Sequence, residues 1–314
     1  MGRQRKRKGD PVHGWLAVDK PTDVTSTRVV GILKRLFNAQ KAGHGGTLDP
    51  LADGILPIAF GEATKTAQWA MDCDKEYVFT IEWGTSTASQ DKEGEIVATS
   101  DRRPTRADIE AVLPQFIGDI QQVPPKFSAI KVAGERAYDL ARDGESFEIP
   151  SREVTVYDTE IADIPDNDHV TLRVVSGKGF YVRAMARDLA QALEAEGHVS
   201  QLRRTRVGAL DESNAMTLAQ LEALVDDKDA LIETLQPLEA VLDDVPMIEI
   251  DMSEAAALKQ GREIVLLPHL VEQWRSETDS DPDNRLALTR TDGTAIALGE
   301  VRAGRFQPKK VFQI

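Results

Sequence analysis

Gly43-His-Gly-Gly-Thr-Leu-Asp-Pro-Leu-Ala-Asp-Gly54 is the stretch on which the reading of this chain turns. Its four glycines permit positive φ and close approach of backbone to a ligand. The segment breaks the hydrophobic periodicity on both sides of it. It fails the dinucleotide fingerprint, because Leu48 stands where the third glycine belongs, and it fails the P-loop pattern, since no GK[ST] ends it. Taken alone the loop supports two readings. In one, Asp49 makes an Asx-turn before Pro50 and the segment is structural. In the other, the loop offers a ligand a carboxylate on a flexible backbone.

Outward from the loop the elements are regular. Gly14 to Val18 predicts a short strand, and Thr25 or Ser26 caps a helix with Val29, Val30, Ile32, Leu33, Leu36 and Phe37 on one broad face. Ile55 to Phe60 reads as a buried strand or turn, and Glu62 to Met71 as a helix. Tyr77, Phe79, Ile81 and Trp83 alternate with Val78, Thr80 and Glu82, the period of a half-buried strand. Thr105-Arg-Ala-Asp108 opens a capped helix to about Phe116. Ser128 to Val132, Glu153 to Ile161, His169 to Ser176 and Val199 to Leu210 are β-like, Tyr181 to Glu194 is helical, and Thr217-Leu-Ala-Gln220 starts another helix. Strands dominate without regular βαβ alternation, which predicts an α+β fold on a mixed or antiparallel sheet.

The length of 314 residues suits two domains, and the 41% hydrophobic and 29% charged content suits an ordinary globular chain. A basic run, Met1 to Lys8, precedes Gly9 without an apolar segment after it, so a signal peptide is not expected and a cytoplasmic location is. Residues 1–9 read as a disordered basic arm, either merely solvated or touching a phosphate backbone. No stretch approaches the roughly 20 apolar residues of a membrane span. Cys73 is alone, so neither an internal disulfide nor a CxxC zinc site is expected. A net charge of −14 argues against a charge-only nucleic-acid binder but leaves room for a basic groove on an acidic body. An acidic, proline-bearing stretch from Asp211 to Glu254 sets the expected boundary near 240, dividing a main domain at 10–240 from a small β-rich unit at 245–314. The loop Ser276 to Asn284 is polar and is expected to be mobile. Arg302, Arg305, Lys309 and Lys310 form a basic cluster in the last strands of that unit.

His44-Gly-Gly-Thr-Leu-Asp-Pro50, with Ala52-Asp-Gly54 and Gly61-Glu-Ala-Thr-Lys65, resembles the HxGTLDPxAxG…GxATK signature of the bacterial tRNA pseudouridine-55 synthases, the TruB family. Further landmarks follow in the family's order. Gly14-Trp-Leu-Ala-Val-Asp-Lys-Pro21 is similar to its G-x-x-x-x-D-K-P, and Asp74-Lys-Glu-Tyr77 to its D-K-x-Y. Val123 to Lys131 and Arg136 to Arg142 resemble P-P-x-Y-S-A-x-K…R-x-Y-x-x-A-R. Gly179-Phe-Tyr-Val-Arg183 resembles G-T-Y-I-R, and Leu202 to Gly208 resembles L-R-R-T-x-x-G. Phe127, Phe180 and the run Gly84 to Asp91 depart from the pattern, and they bear on contacts to RNA rather than on activity.

The resemblance implies a mixed-sheet pseudouridine synthase domain followed by a PUA-like β-unit, and an enzyme that isomerises uridine-55 in the T-loop of tRNA. No atoms or electrons are exchanged with a second substrate, so no cofactor and no metal are expected. The implied partner is the tRNA T stem-loop, with no membrane and no obligate protein partner, and the chain is expected to be a monomer. Asp49, Tyr77 and Arg183 are the implied catalytic residues. Asp49 either adds to C1′ or removes the C2′ proton, and it must be ionised for both; Arg183 is the cation expected to keep it so. Tyr77 stacks on the flipped base. Tyr181 packs against Asp49 or the base, Leu202 walls the pocket, and His44 meets the RNA loop that the base leaves. Lys20 and Lys65 orient the site or meet phosphate, and Asp91 holds Arg183 from its far side. Lys131, Arg142, Arg203, Arg204 and Arg206 are expected at phosphates, although the last three cannot all face one way on a strand. A tRNA-folding chaperone using the same surface is the alternative, favoured less because Asp49, Tyr77 and Arg183 occur together.

Overall fold

The structure is a computed structural model that describes residues 9–128, 130–132, 134–142, 147–278 and 285–314. Apart from Gly9, the expected basic arm lies outside the described residues. A ten-stranded mixed sheet forms the main body, in the order Ala215–Thr217, Gly14–Lys20, Asp53–Phe60, Gly197–Val207, Lys75–Trp83, His169–Ser176, Arg152–Asp166, Gly118–Gln122. Ala42–His44 and Leu210–Asp211 pair at its sides. Gly14–Lys20 runs parallel to Ala215–Thr217 and Asp53–Phe60 parallel to Gly197–Val207, while the other pairs are antiparallel. The α+β expectation holds.

Gly14–Lys20 and Asp53–Phe60 are buried on both faces, which is why they read as continuous apolar runs rather than as alternation. Leu16, Val18, Leu56, Ile58 and Phe60 join the main core under the helices Ser26–Leu36 and Val182–Ala192. Trp15, Ala17, Ile55 and Ala59 face the other way, into a second core shared with Leu288, Leu298 and Phe312 of the C-terminal sheet. Each fully buried large apolar side chain contributes roughly 1.5–3 kcal/mol.

The C-terminal sheet has five strands in the order Met247–Glu249, Leu286–Thr291, Thr294–Arg302, Arg305–Val311, Ile264–Val265. The unit is β-rich as expected, but two helices were not legible. Met252–Lys259 is capped by Asp251, whose carboxylate accepts from Ser253 and Glu254. Pro268–Thr278 takes in Ser276 to Thr278, the start of the expected polar loop; residues 279–284 lie outside the described set. The segment expected as a helix from Glu62 to Met71 begins instead as a 3₁₀ turn, Gly61–Thr66, and becomes α-helical at Ala67–Asp72. Thr64 and Thr66 hydroxyls donate to the carbonyls three residues back and hold that tighter turn. Among the described residues no helix is long and apolar enough to cross a membrane.

Candidate active site

The glycine-rich segment begins as the short strand Ala42–His44 on the edge of Asp53–Phe60 and then leaves the sheet as a loop. Three anchors fix that loop. The Ser26 hydroxyl, in the first turn of its helix, accepts from Leu48 N and donates to Leu48 O, both at 2.9 Å. Lys20, fully buried, donates from Nζ to the carbonyls of Pro21, Val24 and Pro50 at 2.8, 2.9 and 3.3 Å. Burial lowers its pKa to about 8 against the opposing pull of Asp53, Asp49 and Asp23. Arg204, 2% exposed, donates to the carbonyls of Ile55, Thr47 and Gly46 at 2.7, 3.3 and 3.3 Å. Gly54 closes the loop at φ +94°, where a Cβ would fall on the Arg204 backbone.

These anchors hold Asp49 against Arg183. The Asp49 Oδ2 to Arg183 Nη2 distance is 2.8 Å, with the arginine side chain 5% exposed and the aspartate 34%. Arg183 lies one residue into the helix Val182–Ala192. Its Nη1 also donates to the Ser89 carbonyl at 3.0 Å and lies 3.4 Å from Asp91 Oδ2; Nη2 also donates to the Phe127 carbonyl at 3.0 Å. Asp91 is brought there by the turn after the strand Thr85–Thr87, which docks on Gly197–Val207 through Lys92 N to Val199 O and Val199 N to Gln90 O. The Ser89 hydroxyl and Glu93 N both donate to Asp91 Oδ1.

A cavity of about 320 Å³ opens beside the pair, and Asp49, Tyr77, Tyr181, Arg183 and Leu202 all line it. Five of the residues singled out in the sequence therefore meet at one place. Tyr77 is 9% exposed, and burial pushes the Tyr181 hydroxyl above its ordinary pKa. Tyr181 is fixed through its backbone: its N–H donates to Gln122 Oε1 at 2.8 Å and its carbonyl accepts from Gln122 Nε2 at 3.1 Å. A second cavity, about 550 Å³, lies against the same pair and is walled by Pro50, Leu51, Asp91, Glu93 and Glu95 among others. Burial, then Asp91, Asp23 and Asp49, push the Glu93 carboxyl upward.

Other expected contacts lie elsewhere. Lys65 does not reach the site: Nζ sits 2.5 Å from Glu62 Oε2 and donates to the Val311 carbonyl at 2.6 Å, tying the 3₁₀ turn to the C-terminal sheet. Lys20 holds the loop through its carbonyls. His44 ends its strand half-buried outside the cavity wall, with Nδ1 unpartnered among the described residues; burial and the nearby Arg204 lower its pKa. Arg203 and Arg204 are engaged within the protein. Arg203 pairs with Asp19 at 3.0 Å, Asp53 at 3.2 Å and Glu212 at 2.6 Å, while Arg204 is buried on the loop carbonyls. Arg206 is half-buried and donates to the Gly208 carbonyl at 3.4 Å. The side chains of Lys131 and Arg142 lie outside the described residues, though their backbones stand in the strand Lys131–Val132 and the helix Ala137–Arg142. Among the described residues no three His, Cys, Asp or Glu side chains are grouped to hold a metal ion.

Sequence reasoning missed the anchoring by Arg204, the Gln122 brace and the place of Lys75 in the cavity wall. For Lys75 a signal existed, since it keeps the period-2 step with Tyr77.

Residues 34–182 match the model of the TruB family pseudouridylate synthase N-terminal domain, and residues 183–243 that of the tRNA pseudouridylate synthase B C-terminal domain. The chain is 54% identical over 310 residues to the tRNA pseudouridine synthase B of Caulobacter vibrioides, covering 99% of each. It is 46% identical over 316 residues to the protein of the same name in Agrobacterium fabrum, covering 99% of this chain and 98% of that one. Among solved structures it is similar to a chain of a Cbf5-Nop10-Gar1 complex, with a TM-score of 0.72 and 25% identity over 99% of this chain and 91% of the other. A chain of an H/ACA RNP bound to a substrate RNA containing 2′-deoxyuridine shares the fold at a TM-score of 0.70 and 24% identity, over 99% and 92%.

Proposed function

The chain belongs to the TruB family of pseudouridylate synthases, and on that premise we propose that it isomerises uridine-55 in the T-loop of tRNA to pseudouridine, with Asp49 as the essential carboxylate. The observation that carries the reading is the 2.8 Å pairing of Asp49 with Arg183 at the wall of a cavity also lined by Tyr77, Tyr181 and Leu202. A half-buried carboxylate tends to lose its charge unless a cation is near. Arg183 supplies that cation, and Asp91 with two carbonyls fixes the guanidinium plane.

Uridine enters by flipping out of the RNA, which costs a few kcal/mol of lost stacking. The Tyr77 ring recovers part of that by stacking on the base. Ionised Asp49 then acts at the anomeric carbon as carboxylates do in glycoside hydrolysis. It either bonds to C1′ or takes the C2′ proton to give a glycal. The N1–C1′ bond breaks, the base turns within the cavity, and C5 bonds to C1′ as Asp49 leaves it or returns the C2′ proton; C5 then loses its proton and N1 gains one. Leu202 and Tyr181 keep water from the exposed anomeric carbon.

We assign residues 10–240 to the catalytic domain and residues 245–314 to a PUA-like RNA-binding unit, in a monomer whose partner is the T stem-loop. The test is direct: incubate the purified protein with unmodified tRNA and map pseudouridine. Product at position 55, absent with Asp49→Asn, supports the reading. Binding of tRNA without any product would leave the folding-chaperone alternative.

A further inference from the structure

Lys75 stands two residues before Tyr77 on the strand Lys75–Trp83, and the alternation of the strand puts both on the same face. That face also carries Arg204, which pairs with Tyr77 in the sheet register. Lys75 lines the same cavity as Asp49 and Tyr77 and is 7% exposed. Its Nζ donates to the Met71 carbonyl at 2.7 Å and to the Cys73 carbonyl, at the end of the helix Ala67–Asp72. An ammonium has three donors, so among the described residues one N–H is left without a protein acceptor. Among the described residues no carboxylate stands within ion-pair distance of it, whereas the charge of Arg183 is met by Asp49 and Asp91.

Two carbonyls at a helix end could be served by a neutral donor. An ammonium in that place is costly, because burial without a paired carboxylate disfavours it; burial, then Arg204, lower the Lys75 pKa to about 8 against the opposing pull of Cys73, Asp72 and Asp74. The group is still protonated at neutral pH. The cavity therefore has a cation on its wall that Asp49 does not need, since Asp49 has its own.

We propose that Lys75 is a substrate-stabilising residue whose ammonium offsets the negative charge that uracil carries while it is detached from C1′. This rests on the isomerase reading above. Breaking N1–C1′ leaves the bonding pair on N1, from which it spreads to O2 and O4, while C1′ takes Asp49 or its sugar gives up the C2′ proton to it. When C5 bonds to C1′, the Asp49–C1′ bond breaks or Asp49 returns the proton to C2′; the C5 proton is then lost and N1 takes one up, so the product is an isomer. No proton passes through Lys75. Its part is a fixed positive charge where negative charge develops, an interaction stronger in the transition state than before it.

The test compares single-turnover conversion, at saturating enzyme, of a T stem-loop RNA with uridine or with 5-fluorouridine at the target. Fluorine makes the uracil anion less basic, so its departure needs the cation less. Lys75→Gln keeps an N–H for the helix carbonyls and removes the charge. It should slow cleavage of the glycosidic bond in the uridine RNA by about 10²-fold, with RNA affinity nearly unchanged and a clearly smaller loss on the fluorinated RNA. A folded Lys75→Gln with the parent's rate, or with equal losses on the two RNAs, overturns the proposal and leaves Lys75 as a helix cap. Should that variant not fold, Lys75→Arg carries the same comparison, because it keeps the charge but displaces it: a larger loss on uridine supports the proposal and equal losses overturn it. A parent enzyme that makes no pseudouridine would instead sink the isomerase reading.

Discussion

The Arg183 guanidinium meets two carboxylates and two carbonyls, and a group with five N–H donors in one plane is needed to do so. Lysine has three donors and no plane. Asp49→Asn keeps the shape of the loop and removes the charge, so turnover should fall by about 10³-fold or more while tRNA affinity, measured by filter binding, stays close to the parent's. A variant with parental turnover would take Asp49 out of the reaction. Arg183→Met leaves Asp91 buried with no cation, and breaking such a pair costs about 3–5 kcal/mol. Urea denaturation should show that loss. A loss below about 1 kcal/mol, typical of surface pairs, would mean that Asp91 does not depend on Arg183.

At the scale of elements, the helix Ser26–Leu36 does more than cover the sheet. Thr25 caps it, accepting from Arg28 N, which leaves the Ser26 hydroxyl to hold both polar backbone groups of Leu48, one residue before Asp49. Ser26→Ala abandons a buried N–H and a buried carbonyl, at about 1–3 kcal/mol. Because the loop itself loosens, the chemical step should slow more than tRNA affinity falls. Stopped-flow binding alongside single-turnover rates separates the two, and an unchanged rate in a destabilised protein would show that the loop is held without Ser26. The sequence offered Thr25 and Ser26 as equivalent caps. Which of them turns inward was decided by the loop that packs there, some twenty residues later in the chain.

At the scale of the whole molecule, the seam between the two sheets is apolar. Phe312 is fully buried with Trp15, Ile55, Leu242 and Leu298, and Lys65 joins Val311 across the same seam. Phe312→Ala should cost about 3–5 kcal/mol in denaturant unfolding of the full chain; a loss under 1 kcal/mol would mean that the seam repacks. A chain cut at residue 244 exposes the same surface and should lose solubility. The basic cluster of the last strands is partly neutralised: Arg302 and Lys309 share Glu300, and Arg305 pairs with Glu263. The structure thus gives the C-terminal unit a firm structural role, and any charge it offers to RNA is smaller than the sequence suggested.

The sequence by itself determined most of the elements of the main sheet and singled out the groups that meet at the cavity. Alternation from Tyr77 to Trp83 and the capping boxes at Thr105 and Thr217 are local patterns, set within a few residues; the glycine loop around Asp49 is legible as a break in pattern, but what holds it lies far off in the chain. Pairings between distant segments were open to it only through family resemblance, as with Asp49 and Arg183. Tertiary structure decided the rest. Arg203, Arg204 and Arg206 are alike in a string of letters, but the register that sets Arg204 opposite Tyr77 sends its side chain inward to the loop carbonyls and Arg203 outward to three carboxylates. Lys65 sits in a matching motif and yet bonds a strand some 250 residues away. The long side chains of lysine and arginine make the difference: they take whatever acceptor the assembled fold brings within reach, and only long-range register fixes which acceptor that is.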